Sequence, residues 1–129
     1  MGIHQRALEL AVDYAKQRVQ FDKPIAEHQA IRFAIARMAT ELAAARALMR
    51  YAAASEKSRD AGRLASEAKA FASEAANRAC WDSLQIHGGN GFCEEYEIAR
   101  LYRDVRVTTI YEGTSEMQRL VIARQLLAS

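Results

Sequence analysis

The sequence predicts an all-α fold, an antiparallel bundle of the four-helix type, and three observations carry that reading. Ile31, Ile35, Met38, Leu42, Ala45, Met49 and Ala52 recur at alternating spacings of four and three. This marks one helix face packed at a shallow angle against a neighbour. No segment sustains the period-two alternation of a half-buried strand; "VRVTTIY" is the one strand-like run, too isolated to build a sheet. Helix-breaking punctuation is confined to a few places, around Pro24, "SRDAGR" and "HGGNGF", which leaves long periodic runs joined by short connections.

The elements follow in order. Ile3, Ala7, Leu10 and Tyr14 form the apolar stripe of a first helix. It stops near "RVQFDKPI", where Pro24 halts a helix arriving from its N-terminal side and suits the first turn of the next. The second helix carries the heptad run from Ile31 to Ala52, a face expected to point into the core. In "SRDAGR", Asp60 is the expected N-cap of the third helix and Gly62 loosens the turn. Leu64, Ala68, Phe71, Ala75 and Ala79 mark the third helix, which continues through Trp81 and Leu84 towards Ile86. "HGGNGF", His87 to Phe92, ends it. A shorter helix is expected over roughly Tyr96 to Arg103. Ser115 with Gln118 three residues on has the form of a capping box, so a last amphipathic helix is expected from about Ser115. Many stripe positions are alanine, so the helices should approach closely.

With 129 residues the chain reads as a single domain over residues 1–129, long enough to bury a core. Half its residues are hydrophobic and 26% are charged, the composition of a globular chain and not a disordered one. A net charge of +2 is too small to argue for a nucleic-acid or membrane surface. The basic run Arg100, Arg103 and Arg106, with Asp104 inside it, reads as a solvated or salt-bridged segment. Cys80 and Cys93 make no disulfide framework, and no apolar run is long enough to span a bilayer.

Several chemistries drop out. His4, His28 and His87 lack the glutamate three residues earlier that a di-iron bundle needs and lie far apart, so no metal is expected. Neither cysteine carries a nucleophile signature. "HGGNG" has two readings: a phosphate cradle of successive backbone N–H groups, or a tight turn between helices. Glu112 also has two. It lies beside Gly113, in the turn before the last helix. There it is either a partner of that helix's positive end, worth about 0.3–1 kcal/mol, or a positioned base.

Taken together, "RVQFDKPIAEHQ", "QIHGGNGF" and "YRDVRVTTIYEGTSEMQRLVIARQLL" occur in an order and spacing that resemble the C-terminal domain of flavin-dependent acyl-CoA dehydrogenases, over practically the whole chain. The resemblance implies a helical bundle that packs on an N-terminal helical domain and a middle β-domain, in a homo-oligomer, a dimer or tetramer. FAD would lie between domains and across a subunit interface. By that resemblance Arg18 reaches the FAD pyrophosphate of a neighbouring subunit, Phe21 packs nearby and Gln29 contacts the adenosine part. Gln85, His87, Gly88 and Gly89 match the stretch along the adenosine and pyrophosphate. Thr114 and Glu116 match positions near the cofactor beside the active site. Glu112 matches the catalytic base and Gly113 lies against the substrate thioester. The implied reaction converts acyl-CoA into trans-2-enoyl-CoA and reduced FAD, with electron-transfer flavoprotein as acceptor. The implied compartment is the bacterial cytoplasm or, alternatively, the mitochondrial matrix, with no nucleic acid or membrane as partner.

Two positions depart from the family's usual pattern. Asp22 stands where Gly is common in "FGKP", and Glu97 stands where Pro is common. The first two domains and the beginning of the first helix are missing from the resemblance, so the chain reads as part of a longer enzyme. It is expected to be inactive alone, to self-associate and not to retain FAD. A competing reading is a non-catalytic helical oligomerisation module that keeps the family's assembly surface; the intact "YEGTSE" argues against it. A sister class in which oxygen reoxidises the flavin also matches this domain. The acyl chain is not legible.

Overall fold

The computed structural model describes residues 1–128. Five α-helices form the bundle: α1 (Gly2–Gln17), α2 (Gln29–Ala54), α3 (Ala61–His87), α4 (Glu97–Arg106) and α5 (Ser115–Leu127). The central α3 packs on all four of the others, and α1 also touches α2 and α4. The pairings run in opposite senses along neighbouring helices: Arg37 with Asp82 and Glu41 with Arg78 fix α2 antiparallel to α3, and Glu74 with Arg119 together with Gly62 beside Gln125 does the same for α3 and α5.

The expected bundle is present, with corrections in detail. The chain between α1 and α2 is not all loop: β1 (Val19–Gln20) pairs antiparallel with β2 (Lys23–Pro24) in a two-residue ladder, followed by a short 3-10 turn at Ile25–Glu27. The strand-like "VRVTTIY" is helical, completing α4 to Arg106 and continuing as a 3-10 turn over Val107–Thr109. Asp60 occupies the N-cap of α3, yet its carboxylate does not bond the helix amides and lies instead 3.5 Å from Arg63.

Alanine decides where the core sits. Ala7, Ala11 and Ala15 of α1 are fully buried, beside Met38, Ala76, Ala79, Cys80, Ile98 and Val105. The fully buried line of α1 is thus His4, Ala7, Ala11 and Ala15; Ile3, Leu10 and Tyr14, expected at its centre, are only partly buried and flank it. Small residues let the backbones close up, and the larger side chains fill the edges. On α2 the centre of the heptad run, Met38, Leu42 and Ala45, is buried as expected, but Met49 is exposed. Gln5 meets Arg46, so α2 has by then run past the first turn of α1 and has lost that neighbour.

Three buried groups stand out. His4 Nε2–H donates to the Met38 carbonyl at 3.0 Å, and burial pushes its pKa below the ordinary 6.5 despite that bond. The Cys80 thiol, in the core, is pushed up to about 12 by burial, whereas Cys93 is exposed at the end of the glycine-rich segment. Asp82 is buried on α3, and Arg37 Nη2 donates to both its oxygens at 2.8 Å.

Candidate functional site

Most of the expected site residues fall into two groups, one at the C-terminal end of α3 and one against its middle. The first surrounds Arg18, the C-cap of α1, whose amide bonds the Tyr14 carbonyl and whose carbonyl accepts from Ile25 at 2.8 Å. These bonds close the β1–β2 hairpin. Its two turn residues, Phe21 and Asp22, both have positive φ, 55° and 63°. That is the combination a type I′ turn demands and Gly or Asn normally supplies. The hairpin therefore projects Phe21 almost wholly into solvent, edge-on to His28, and Asp22 is exposed as well. Asp22, where the resemblance led one to expect glycine, does not line the neighbouring groove.

That groove, about 250 Å³, brings Arg18, Tyr14, Gln20, His87, Gly88, Gly89 and Asn90 together. His87 is the last residue of α3 and is buried: its ring stacks on Tyr14 at 4.3 Å, and Nδ1–H donates to the Ser83 carbonyl at 2.7 Å. Burial lowers its pKa below the ordinary 6.5, against the opposing bond to Ser83. Asn90 Nδ2 donates to the Tyr14 hydroxyl, tying the glycine segment to α1. Gly88, at φ 59°, turns the chain out of the helix, and Gly91 is required by space, since a Cβ there would lie 2.6 Å from the Leu84 carbonyl oxygen. Gly89 faces open space. So "HGGNG" is a turn that continues as a 3-10 helix over Gly88–Phe92, with open space beside both Gly88 and Gly89. Gln85 does not join this group. It lies against Trp81, Leu84, Phe92 and Tyr102 in a separate groove, and Gln29, exposed at the start of α2, lines neither.

The second group surrounds Glu112. Both Glu112 and Gly113 have positive φ, 55° and 86°. The glycine beside the acid is explained by this turn, and the acid shares its strained conformation. The cap of α5 is Thr114, not Ser115: its hydroxyl accepts from the Met117 amide at 3.3 Å. Gln118 reaches back, but to the carbonyls of Glu112 and Gly113 and not to a cap amide. Glu116 bonds its own amide and the Thr114 hydroxyl, which hold its carboxyl below the usual value. Ser115 is buried with its hydroxyl unpartnered among protein atoms. Thr114, Ser115 and Glu116 line a groove of about 410 Å³ with Arg78, Arg106 and Arg119, an arginine-rich wall offset by Glu74, which pairs with Arg119. Lys69, from the middle of α3, donates to the Gly113 carbonyl.

Glu97, at the first position of α4 where the resemblance led one to expect proline, bridges Arg6 (2.8 Å) and Arg100 (3.3 Å), tying α4 to α1. Sequence reasoning missed Lys69, Arg119 and Tyr14; none carries a local motif, because each acts on a segment far away in the chain. On α3 the second group reaches from Lys69 to Arg78, and about 14 Å of helix at 1.5 Å per residue separates Arg78 from His87, so the two groups occupy distinct grooves. Among the described residues, no cluster of three His, Cys, Asp or Glu could hold a metal ion. No helix there is long and apolar enough to cross a membrane.

Comparison with known proteins accords with this arrangement. The family described as "Acyl-CoA dehydrogenase, C-terminal domain" matches residues 1–127. An acyl-CoA dehydrogenase of Bacillus subtilis is 53% identical over 98% of this chain and 34% of its own length. The caffeyl-CoA reductase–Etf complex subunit CarC of Acetobacterium woodii is 52% identical over the same shares. Among solved structures, butyryl-CoA dehydrogenase from Megasphaera elsdenii superposes with a TM-score of 0.94 at 44% identity, covering 98% of this chain and 33% of that one. The FAD complex of PigA superposes with a TM-score of 0.90 at 30% identity, covering 95% and 32%. The chain spans about a third of the length of the curated relatives it matches. With its helical fold, its glycine-capped α3 and its Glu-Gly turn ahead of α5, the chain belongs to the acyl-CoA dehydrogenase family, whose C-terminal domain it matches almost end to end.

Proposed function

We propose that this chain acts as one helical domain of an acyl-CoA dehydrogenase, supplying the catalytic base and part of the FAD site for α,β-dehydrogenation of an acyl-CoA. The observation that carries the reading is Glu112. It is an exposed carboxylate held at positive φ, next to a glycine, immediately before the helix whose N-terminus borders an arginine-rich groove.

The residues fit a dinucleotide. Arg18 offers forked cationic donors to a diphosphate, and open space lies beside Gly88 and Gly89 in the same groove. Ser115 keeps a buried hydroxyl without a protein partner in the groove lined by Thr114, Glu116, Arg106 and Arg119. Bound FAD supplies the acceptor for the hydride that leaves the β-carbon. Glu112 takes the α-proton, and its backbone N–H helps to stabilise the thioester oxygen, without which that proton is not acidic enough to remove. The product is a trans-2-enoyl-CoA. In the reverse sense, protonated Glu112 returns the proton to the α-carbon, which suits relatives whose names are those of reductases.

The separation of the two groups along α3 supports a division of labour between copies. The Arg18 group would serve the FAD of a neighbouring subunit and the Glu112 group the active site of its own. That requires a homo-oligomer. Electron-transfer flavoprotein is the proposed electron partner, by analogy with the relative named for its Etf complex, and the cytoplasm the proposed compartment.

The test is Glu112→Gln in the full-length enzyme. The amide keeps size and hydrogen-bonding capacity but cannot accept a proton. Flavin content should be unchanged, while flavin reduction by acyl-CoA in rapid mixing falls by about 10²–10⁴-fold or more. Reduction at close to the parent rate returns Glu112 to the role of a helix-end partner.

A further inference from the structure

Glu112 and Gly113 form a left-handed pair exposed to solvent, and a glutamate rarely holds positive φ unless its surroundings impose it. The N-terminal side is fixed locally: the Tyr111 amide bonds the Val107 carbonyl at 3.1 Å, anchoring Tyr111 to the 3-10 turn before it. On the C-terminal side the contacts come from two helices. Gln118 Nε2 of α5 donates to the Glu112 carbonyl at 3.0 Å and to the Gly113 carbonyl at 3.2 Å. Lys69 Nζ of α3 donates to the Gly113 carbonyl at 2.5 Å. Both peptide groups flanking Gly113 are therefore pinned, and the backbone rotation left between them and the anchored 3-10 turn includes the φ of Glu112. That angle sets the direction in which its side chain leaves the backbone.

The glycine belongs to the same device. A Cβ at Gly113 would stand 2.7 Å from Gln118 Nε2, so any side chain there would displace the amide that holds Glu112. Nor is the lysine spoken for elsewhere: among the described residues no carboxylate lies within ion-pair distance of Lys69, while its neighbour Glu67 is taken by Arg63 and Glu74 by Arg119.

We propose that Lys69 and Gln118 are positioning residues that lock the Glu112–Gly113 turn and so aim the Glu112 carboxylate. The proposal rests on the reading of Glu112 as the base. Lys69 touches no substrate or cofactor in this role. It acts through the Gly113 carbonyl, and it transmits the placement of α3 to the catalytic turn. Misplacement of a reacting group by about 1 Å is enough to cost on the order of 10²-fold in rate.

The test uses the full-length holoenzyme with Lys69→Met, which keeps the aliphatic stem and removes the ammonium, Lys69→Arg, which restores a cationic donor, and Glu112→Gln as reference. Flavin content and melting temperature are recorded for each. For Lys69→Met, kcat is expected to fall about 10–100-fold with KM within about twofold of the parent. Amide exchange in the peptide spanning Glu112 should accelerate, and Lys69→Arg should recover most of both. A parental kcat for Lys69→Met, a loss confined to KM, or unchanged exchange at the turn overturns the proposal. If Lys69→Met fails to assemble with flavin, Gln118→Met is read against the same three criteria. Slow reduction in Glu112→Gln with normal behaviour of Lys69→Met sinks the positioning role and leaves the base in place. Fast reduction in Glu112→Gln instead removes the base reading, and with it the proposal.

Discussion

Helices α1 and α5 both flank α3, and in the sequence both read as amphipathic, yet they use that pattern in opposite ways. α1 turns its small residues inward: Ala7, Ala11 and Ala15 are fully buried, and even His4 is drawn in. α5 buries only Ser115, and the half-buried residues along its inner side are Gln118, Ile122 and Gln125. Its larger apolar residues, Met117, Leu120, Val121, Leu126 and Leu127, are exposed. The difference teaches that periodicity identifies which residues share a face, while the available neighbour decides which face turns inward. α1 has α2, α3 and α4 around it, whereas α5 packs chiefly on α3. Its outward apolar face is the kind of surface that the proposed oligomer, or further domains of a longer enzyme, would cover.

The largest expected effect sharpens this contrast with a pair of matched substitutions. Ala11→Leu forces three extra carbons between helices with no free space and should cost about 1–3 kcal/mol, whereas Ala123→Leu on exposed α5 should stay within about 0.5 kcal/mol. Urea unfolding monitored by far-UV dichroism measures both. Equal costs would erase the distinction between the two helices.

Next comes acid. His4 on α1 and His87 against Tyr14 are both buried, and both have pKa values lowered first by desolvation. Below the ordinary value of 6.5 the unfolded chain binds protons that the folded chain refuses. Stability is therefore full above about pH 6.5 and declines as pH falls, until the folded-state values are reached. The slope is at most about 1.4 kcal/mol per pH unit for each histidine. Chemical denaturation at pH 7.5, 6.5 and 5.5 checks this, and His4→Gln should reduce the slope.

The smallest effect on stability is expected at the outward face of α5. Leu120→Glu combined with Leu127→Lys should leave the unfolding midpoint nearly unchanged while reducing self-association of the chain in light scattering. Undiminished association would place the sticky surface elsewhere.

These contrasts also show how much of the molecule was legible. The five helices were visible because apolar spacing, Pro24 and the glycine cluster are local signals. In the stripe of α1 Ala7 was read correctly, but Ile3, Leu10 and Tyr14 were each read one residue before the buried His4, Ala11 and Ala15, since methyl groups carry less hydrophobic weight than the larger side chains that flank them. The β1–β2 hairpin was invisible because Phe21 and Asp22 occupy turn positions where a sequence reader looks for Asn-Gly. Within the candidate site, Glu112 and Gly113 stood out through their position before a helix. The glycine-rich turn stood out through its composition, while Thr114 and the cofactor role of Arg18 came through resemblance. Lys69 was beyond reach: 44 residues separate it from the Gly113 carbonyl, and no local pattern encodes such a bond.

The two cysteines, one in the core and one at the end of the glycine-rich segment, give the chain a pair of chemical clocks running at different speeds. The Cys93 sulfur meets solvent directly and reports the state of the surface. At Cys80 the thiol, pushed up to about 12 by burial, stays unreactive until the helices around it part. An alkylating reagent therefore marks the first site at the pace of ordinary surface chemistry and the second at the pace of unfolding. Their ratio measures how long the bundle holds together without any added probe.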